Sequence, residues 1–561
     1  MVSSSQPLLS DLPAASSSGL DWFVRQWLAP RRWVIFAGVC LVLVNLAVFA
    51  VGVPRMNIFG HDVFVSLDGG WRVFNGQRPV VDFFSQMGPL YFLLHATGLA
   101  LAGGDAIGLG YGSAIAGVLI ALWSFLLLRR RMFPAAFFLA CLAITLLAVS
   151  PSPLGYDPWR FSFSMKHNRY CFALSILVLL ESFLPPPADE KARGSFAGGF
   201  STGLACGLMF FIKISYGLVG LGIAAVSFAL RPREHARTLG IAAGFVAGVL
   251  PVLIWLRFDL GALFREYRLL AAIRGAALSP AAIARSVFDN RFETGSGLLL
   301  ALVAILLPAI SARRRLMIAT ASLLAAGAGV LLLLTNTQDR SLPLLAGIAL
   351  LIVNELSALL DPRAPESAAA FTLCFALLAA VLPLATDAAV LSIALGDKWL
   401  EFKPAYRLEA PHLAGLEFVD TTLVVAPFSE NDNGRMFVDM TSEAIALVEA
   451  NSTPSESVRG LGMSNPFSYA MLRPPSHGGA VNMVFTGNVG AKTIIPVTKL
   501  FGDVDLLLVP YYPASERDTL ATVLARYPQL LGTTYALVAS SPHWKLYRRR
   551  VTVTSPATAI P

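Results

Sequence analysis

The sequence predicts a multi-pass α-helical membrane protein with interfacial helices in its first outer loop and a C-terminal α/β soluble domain. Three observations predict it. The chain is too apolar for a soluble protein of 561 residues, being 55% hydrophobic and only 14% charged, with a mean hydropathy of +0.64. Its apolar runs are each roughly 17–22 residues long, enough for a helix to cross a hydrocarbon core about 30 Å thick, and they lack the alternation of membrane-barrel strands. After Asp397 the composition changes to that of a soluble domain of about 160 residues.

Charge distribution sets the topology. From residue 400 onward there are 13 Lys+Arg against 14 Asp+Glu, so the net +8 of the whole chain resides in the apolar part. There it forms short clusters at Arg31-Arg32, 129–131, 191–193, 231–237, 313–315 and Arg363, the pattern of cytoplasmic topology signals rather than of nucleic-acid binding. Placing every cluster inside gives eleven spans, near 33–53, 108–128, 133–150, 169–185, 196–213, 214–230, 238–256, 295–311, 316–335, 342–360 and 369–393. The N-terminus is then inside and the C-terminus outside. Residues 1–32 read as a disordered cytoplasmic tail, 33–53 as a retained signal anchor, 33–396 as the membrane domain and 397–561 as the extracytoplasmic domain.

Residues 89–101 are apolar but only about a dozen long, too short to span, and a span there would put 129–131 outside. They are expected to form an interfacial helix. Within the C-terminal domain, 421–428, 505–510 and 533–540 read as strands, and 442–450 (opened by Thr441) and 515–527 as helices. The five cysteines all fall in or beside apolar runs, which excludes a disulfide framework in the outer domain. No fixed-period repeat and no Gly-rich nucleotide motif is present, so a nucleotide-sugar or ATP site is not expected.

Four outward connections remain, over 51–107, 151–168, 257–295 and the short polar 335–341, and loops of this kind usually carry function. The first holds Asp62, Asp68 and Asp82 beside His61, Trp71 and Arg72. A carboxylate here can take the proton of an attacking hydroxyl; the alternatives are that Asp82 caps the next helix and Asp68 is solvated. The second gathers Asp157, Trp159, Arg160, Lys166, His167, Asn168 and Arg169, whose cations suit a lipid phosphate or, alternatively, anchor the interface. The third holds six arginines, among them Arg265, Arg268 and Arg274; one or two are expected to meet a phosphate, while four acidic residues dilute the field. Lys213, between two short spans, faces the same region if the pair folds as one bent hairpin, or else snorkels. His61 and His167, with Asp62 or Asp157, are candidates for a divalent metal, without any dedicated spacing, and no metal ligand is assigned.

The stretch HDVFVSLDGGWRVFNGQRPVVDFFSQMGPLYFLLHA (61–96) resembles the first outer loop of membrane-embedded glycosyltransferases of the GT-C superfamily, in the bacterial branch near protein O-mannosyltransferases and the aminoarabinose transferase of lipid A. NRYCFAL (168–174) and FIKISYGL (211–218) look like further pieces of it. The resemblance implies a polyprenyl-phosphate-linked sugar donor, inversion at the anomeric carbon and an acceptor at the outer face of the cytoplasmic membrane: lipid A, polysaccharide, another lipid or protein. It carries the catalytic acid onto Asp62; around it, His61, Asp68, Trp71, Arg72 and Asp82 are expected to bind the acceptor. Where many members have two adjacent acids, this chain has His61 before Asp62 and Val63 after it. The rival readings are a lipid-linked glycan transporter or flippase and a non-catalytic assembly protein. A transporter would place ionisable residues mid-span, whereas these charges gather on one face.

Overall fold

Helices occupy all eleven positions at which hydropathy places a span. The structure is a computed structural model; it describes residues 30–185, 191–231, 234–274, 278–306, 310–336, 341–357, 367–421, 433–483, 496–510 and 523–550. The helices are α1 Pro30–Val51, α2 Asp62–Phe74, α3 Pro89–Leu101, α4 Gly108–Leu128, α5 Pro134–Val149, α6 Lys166–Phe183, α7 Lys191–Ile212, α8 Ile214–Leu230, α9 His235–Trp255, α10 Leu260–Arg274, α11 Pro280–Asp289, α12 Arg291–Leu306, α13 Ala312–Thr335, α14 Leu344–Ser357 and α15 Ser367–Leu400. Among the described residues six helical stretches are long and apolar enough to cross a membrane, in α1, α4, α7, α9, α13 and α15. The protein is a multi-pass membrane protein. Its α3, 13 residues long, is the short helix expected over 89–101.

Packing explains which helix is central. In α6 every residue from Asn168 to Phe183 is buried, so other parts of the chain surround it on all faces, and its apolar middle, Cys171–Leu180, suits that place. Against α7 lies α9, and here small residues replace large ones. A Cβ on Gly203 would lie 1.9 Å from the Ile241 carbonyl oxygen, and one on Gly244 would lie 2.0 Å from that of Phe200. Glycines at four-residue spacing thus bring two helix backbones together, the packing that lipid favours because no hydrophobic force joins helices within it. α7 and α8 are separated by Lys213 alone, in extended conformation (φ −161°). They fold back on each other there, for Gly217 lies against the Phe210 backbone and Gly220 against Cys206.

Three of the basic clusters converge on one end of the bundle. Glu181, buried near the end of α6, pairs with Arg237 at 2.8 Å and Arg131 at 3.3 Å and accepts from Thr202 at 2.6 Å, while Arg314 pairs with Glu355 at 2.6 Å. Clusters from 129–131, 231–237 and 313–315 therefore share one side, as the charge pattern requires. At the opposite end lie α2, α3, α10 and the C-terminal part of the chain.

That C-terminal part holds α16 Gly434–Asn451, α17 Phe467–Ala470, α18 Val497–Phe501 and a four-stranded sheet of β1 Val458–Gly460, β2 Leu506–Pro510, β3 Tyr535–Ser540 and β4 Trp544–Arg549. The order is β1-β2-β4-β3, with β1 parallel to β2 and the other pairs antiparallel. Two of the predicted strands are here as β2 and β3. β1 and β4 are not among the predicted strands, since one is three residues long and the other, an inner strand between β2 and β3, carries Lys545, Arg548 and Arg549, which mask its strand pattern. The helix expected over 442–450 begins earlier, at Gly434, with Asn433 rather than Thr441 as its cap: the Asn433 carboxamide accepts from the Met436 amide at 2.8 Å. The expected strand over 422–428, most of the helix over 515–527, the N-terminal tail and Arg363 lie outside the described residues.

α15 continues to Leu400, past the expected end of the last span at 393. The reason is Arg55, which is buried and pairs with Asp397 on the last turn of α15 at 3.1 Å and with Glu417 at 3.3 Å. Beside it, Met56 and Phe418 pair as a parallel bridge. The loop after α1 and the chain after α15 are thus locked together.

Candidate active site

Four chain regions meet around one cavity of about 450 Å³. Its walls are Phe59, His61, Asp62, Val65 and Ser66 at the start of α2; Gln86, Met87 and Tyr91 at the start of α3; Tyr156 and residues 163–165 with His167 and Asn168 around the start of α6; and Lys213 between α7 and α8. Asn336, Met463 and Asn482 complete it. Asp62 is the only carboxylate among these described lining residues, and Lys213 the only Lys or Arg.

Asp62 is the first residue of α2, so its carboxylate sits at the positive end of the helix dipole. Its side chain keeps 26% exposure, with Nε2 of His61 3.3 Å from Oδ1. One turn on, the Ser66 hydroxyl and the Tyr91 phenol share a 2.7 Å hydrogen bond, and burial pushes the Tyr91 phenol well above its ordinary range. On the cationic side, Lys213 Nζ lies 3.2 Å from Nε2 of His167 and donates to Oδ1 of Asn168 at 3.4 Å. The extended break in the helix at Lys213 is what points its ammonium here rather than along a helix face. Phe59 (φ 52°) and Met165 (φ 58°) both adopt the left-handed conformation on the cavity wall. Strain of this kind, on the order of 1–3 kcal/mol per residue, persists where surrounding structure enforces it and concentrates at functional sites.

Of the residues singled out in the sequence, the fold gathers Asp62, His61, His167, Asn168 and Lys213 at the cavity and places the other described ones elsewhere. Asp68 is not solvated but wholly buried, paired with Arg72 at 3.0 Å and hydrogen-bonded by Asn465 at 3.2 Å. Arg72 also donates to the carbonyls of Ser476 and Gly478, and Trp71 to that of Arg473, so this face of α2 docks the C-terminal part. Asp82 closes a loop with Arg78 at 3.1 Å and accepts from the Arg78 amide at 2.7 Å, capping no helix.

The second loop divides likewise. Asp157, two-thirds exposed, lies 3.9 Å from Arg160 on the surface. Lys166 is spent on the carbonyls of Val149 and Ser150, and Arg169 on Ser152, Leu147 and Asp387. Arg265 and Arg268 are exposed on α10, and the side chain of Arg274 lies outside the described residues. Among the described residues no group of three or more His, Cys, Asp or Glu side chains gathers as metal ligands would.

Sequence reading did not assign Ser66, Tyr91, Gln86, Asn336, Met463 or Asn482 to the site. Asn336 opens the polar 335–341 connection and was within reach. Met463 and Asn482 come from the C-terminal part, and only the tertiary fold brings them in.

With this geometry in place, two solved structures compare with the whole chain. The chain is similar to ArnT from Cupriavidus metallidurans. The crystal structure of that protein bound to undecaprenyl phosphate is 15% identical, with 92% of this chain and 99% of that chain covered and a TM-score of 0.45. For its apo state the values are 15%, 91%, 97% and 0.42. No family model and no curated protein matches the chain.

Proposed function

We propose that the protein is a glycosyltransferase that uses a sugar linked to a polyprenyl phosphate and acts at the outer face of the cytoplasmic membrane on a cell-envelope acceptor. Residues 33–396 form its membrane domain and 397–561 an extracytoplasmic domain, with the N-terminus cytoplasmic. One observation carries the reading: among the described residues, the cavity at the end of the bundle opposite the basic clusters 129–131, 231–237 and 313–315 is lined by one carboxylate, Asp62, and one ammonium, Lys213. The resemblance of 61–96, 168–174 and 211–218 to GT-C enzymes supports it from the sequence side.

In the proposed step an acceptor hydroxyl attacks the anomeric carbon from the face opposite the phosphate. The Asp62 carboxylate takes the hydroxyl proton as the new C–O bond forms. The bond from the anomeric carbon to the phosphate oxygen breaks with its electron pair, leaving a polyprenyl phosphate whose charge Lys213 and the adjacent His167 stabilise, and configuration inverts. General-base help of this kind is worth about 10² to 10⁴ in rate. Cations placed where charge develops act best where water is excluded, and the walls from α2 and α3 provide that.

The test compares envelope glycans from cells lacking the protein, complemented with wild type or Asp62→Asn at equal membrane abundance. Loss of the same glycan in the deletion and in Asp62→Asn is expected. Full restoration by Asp62→Asn would remove the base from the scheme.

A further inference from the structure

The cavity has two chemically different sides. The side built by the bundle, from α6 and the α7/α8 break, carries Lys213, His167 and Asn168. The C-terminal part supplies Met463 and Asn482, and no charged side chain of that part lines the cavity among the described residues.

A backbone ladder fixes Asn482 in place. The Gly478 amide donates to the Asp82 carbonyl at 2.8 Å, the Phe84 amide to Gly479 at 2.8 Å, and the Val481 amide back to Phe84 at 3.1 Å. Residues 478–481 thus run as an added strand beside 82–85, and the next residue on each, Asn482 and Gln86, reaches the cavity wall. The Met483 amide then donates to the Met463 carbonyl at 3.0 Å, tying in the other contributor. Met463 belongs to the base side of the cavity, because its neighbours Gly462 and Ser464 share a narrow cleft with His61, whose ring contacts Asp62.

We propose that the C-terminal domain forms the acceptor side of the active site, and that the carboxamides of Asn482 and Gln86, with Met463, select a neutral acceptor that presents hydroxyl groups. This rests on the glycosyltransferase reading. A donor held by a prenyl chain stays in the bilayer, so its phosphate enters from the bundle side and the attacking group must come from the other. That other side offers amides, which both donate and accept, as a hydroxyl does. An anionic acceptor group there would face the Asp62 carboxylate with no Lys or Arg of the C-terminal part beside it among the described lining residues, which is unfavourable. Asp82 then acts as a positioning residue, since its ion pair with Arg78 holds the 78–84 turn against which the ladder is built.

The test uses the full-length protein and two readouts: binding of undecaprenyl phosphate to detergent-purified protein, and envelope glycan restored in deletion cells. For Asn482→Ala and Met463→Ala, undecaprenyl phosphate affinity is expected to stay within about twofold of wild type, while glycan falls at least about tenfold, the scale of one lost buried hydrogen bond or packed side chain. For Lys213→Ala, affinity is expected to fall at least about tenfold, since a charge-assisted contact to phosphate is lost. Retained binding also shows that the variants fold. If Asn482→Ala weakens undecaprenyl phosphate as Lys213→Ala does, or restores glycan fully, the acceptor assignment is overturned and the function stands. If wild type itself binds no undecaprenyl phosphate and restores no glycan, the function falls, and this assignment with it.

Discussion

The carboxamide of Asn465 donates to Oδ1 of Asp68 over 3.2 Å, joining residues 397 positions apart in the chain. Asp68 lies six positions after Asp62 on α2, yet one carboxylate is sealed in an interface and the other lines a cavity. The helix turns through about 100° per residue, so the two project from different faces, and the C-terminal part covers only one of them.

Burial makes Asp68 indispensable to stability. Arg72 is fully buried, and so is Arg459, whose guanidinium burial pushes down to about 10 against the pull of Asp68. Asp68→Ala is expected to leave this positive charge uncompensated and to cost about 3–5 kcal/mol, seen as a lowered thermal midpoint of the purified protein. The double variant with Arg72→Met should lose less than the two single losses combined. Strict additivity would show that the pair does not interact.

Arg169 and Arg160, both candidates for phosphate binding from sequence, should separate in the same assay. Arg169 is buried against Asp387 at 3.2 Å, so Arg169→Ala is expected to lose about 3–5 kcal/mol. Arg160 lies 3.9 Å from an exposed Asp157, and Arg160→Ala should lose about 1 kcal/mol or less. Equal losses would refute the distinction.

Stability should depend on pH through Glu266. Its carboxylate is fully buried on α10, accepts from the Ser85 amide at 3.0 Å and pairs with Lys499 at 2.7 Å. Burial raises its pKa from 4.5 to about 7, outweighing the opposing pull of Lys499 and the Ser85 amide. An acid with a raised pKa keeps its proton in the folded state after the unfolded chain has lost its own. Its contribution is therefore full below about pH 4.5 and is lost as pH rises through about 7. Between pH 5 and pH 8 the melting temperature of the wild type is expected to fall relative to Glu266→Gln; parallel curves would rule this out.

The α7/α9 contact makes a prediction about size. Gly203→Ala would put a methyl 1.9 Å from the Ile241 carbonyl oxygen and should separate the helices, lowering the thermal midpoint. Gly327, with nothing within 4 Å, should tolerate Ala, which gains up to about 1 kcal/mol of helix propensity. The reverse ranking would mean that the two helices do not pack through their glycines.

The sequence by itself determined the membrane class, the eleven helix positions and the grouping of the basic clusters 129–131, 231–237 and 313–315 at one end. All of these follow from local quantities, the length of an apolar run and the charges flanking it. It also brought Asp62, His61, His167 and Lys213 forward as candidates, because ionisable residues beside apolar runs stand out against their surroundings. Only the tertiary structure separated Asp62 from Asp68 and Asp82, which look alike in one dimension. Whether a carboxylate is solvated, paired or set in a cavity depends on which face another segment covers. Here that segment is the C-terminal part, almost 400 residues away, and no periodicity in the first loop encodes its arrival. For the same reason Lys166 and Arg169 look like phosphate ligands in one dimension, whereas the fold spends them on main-chain carbonyls, and only the fold brings Met463 and Asn482 to the cavity.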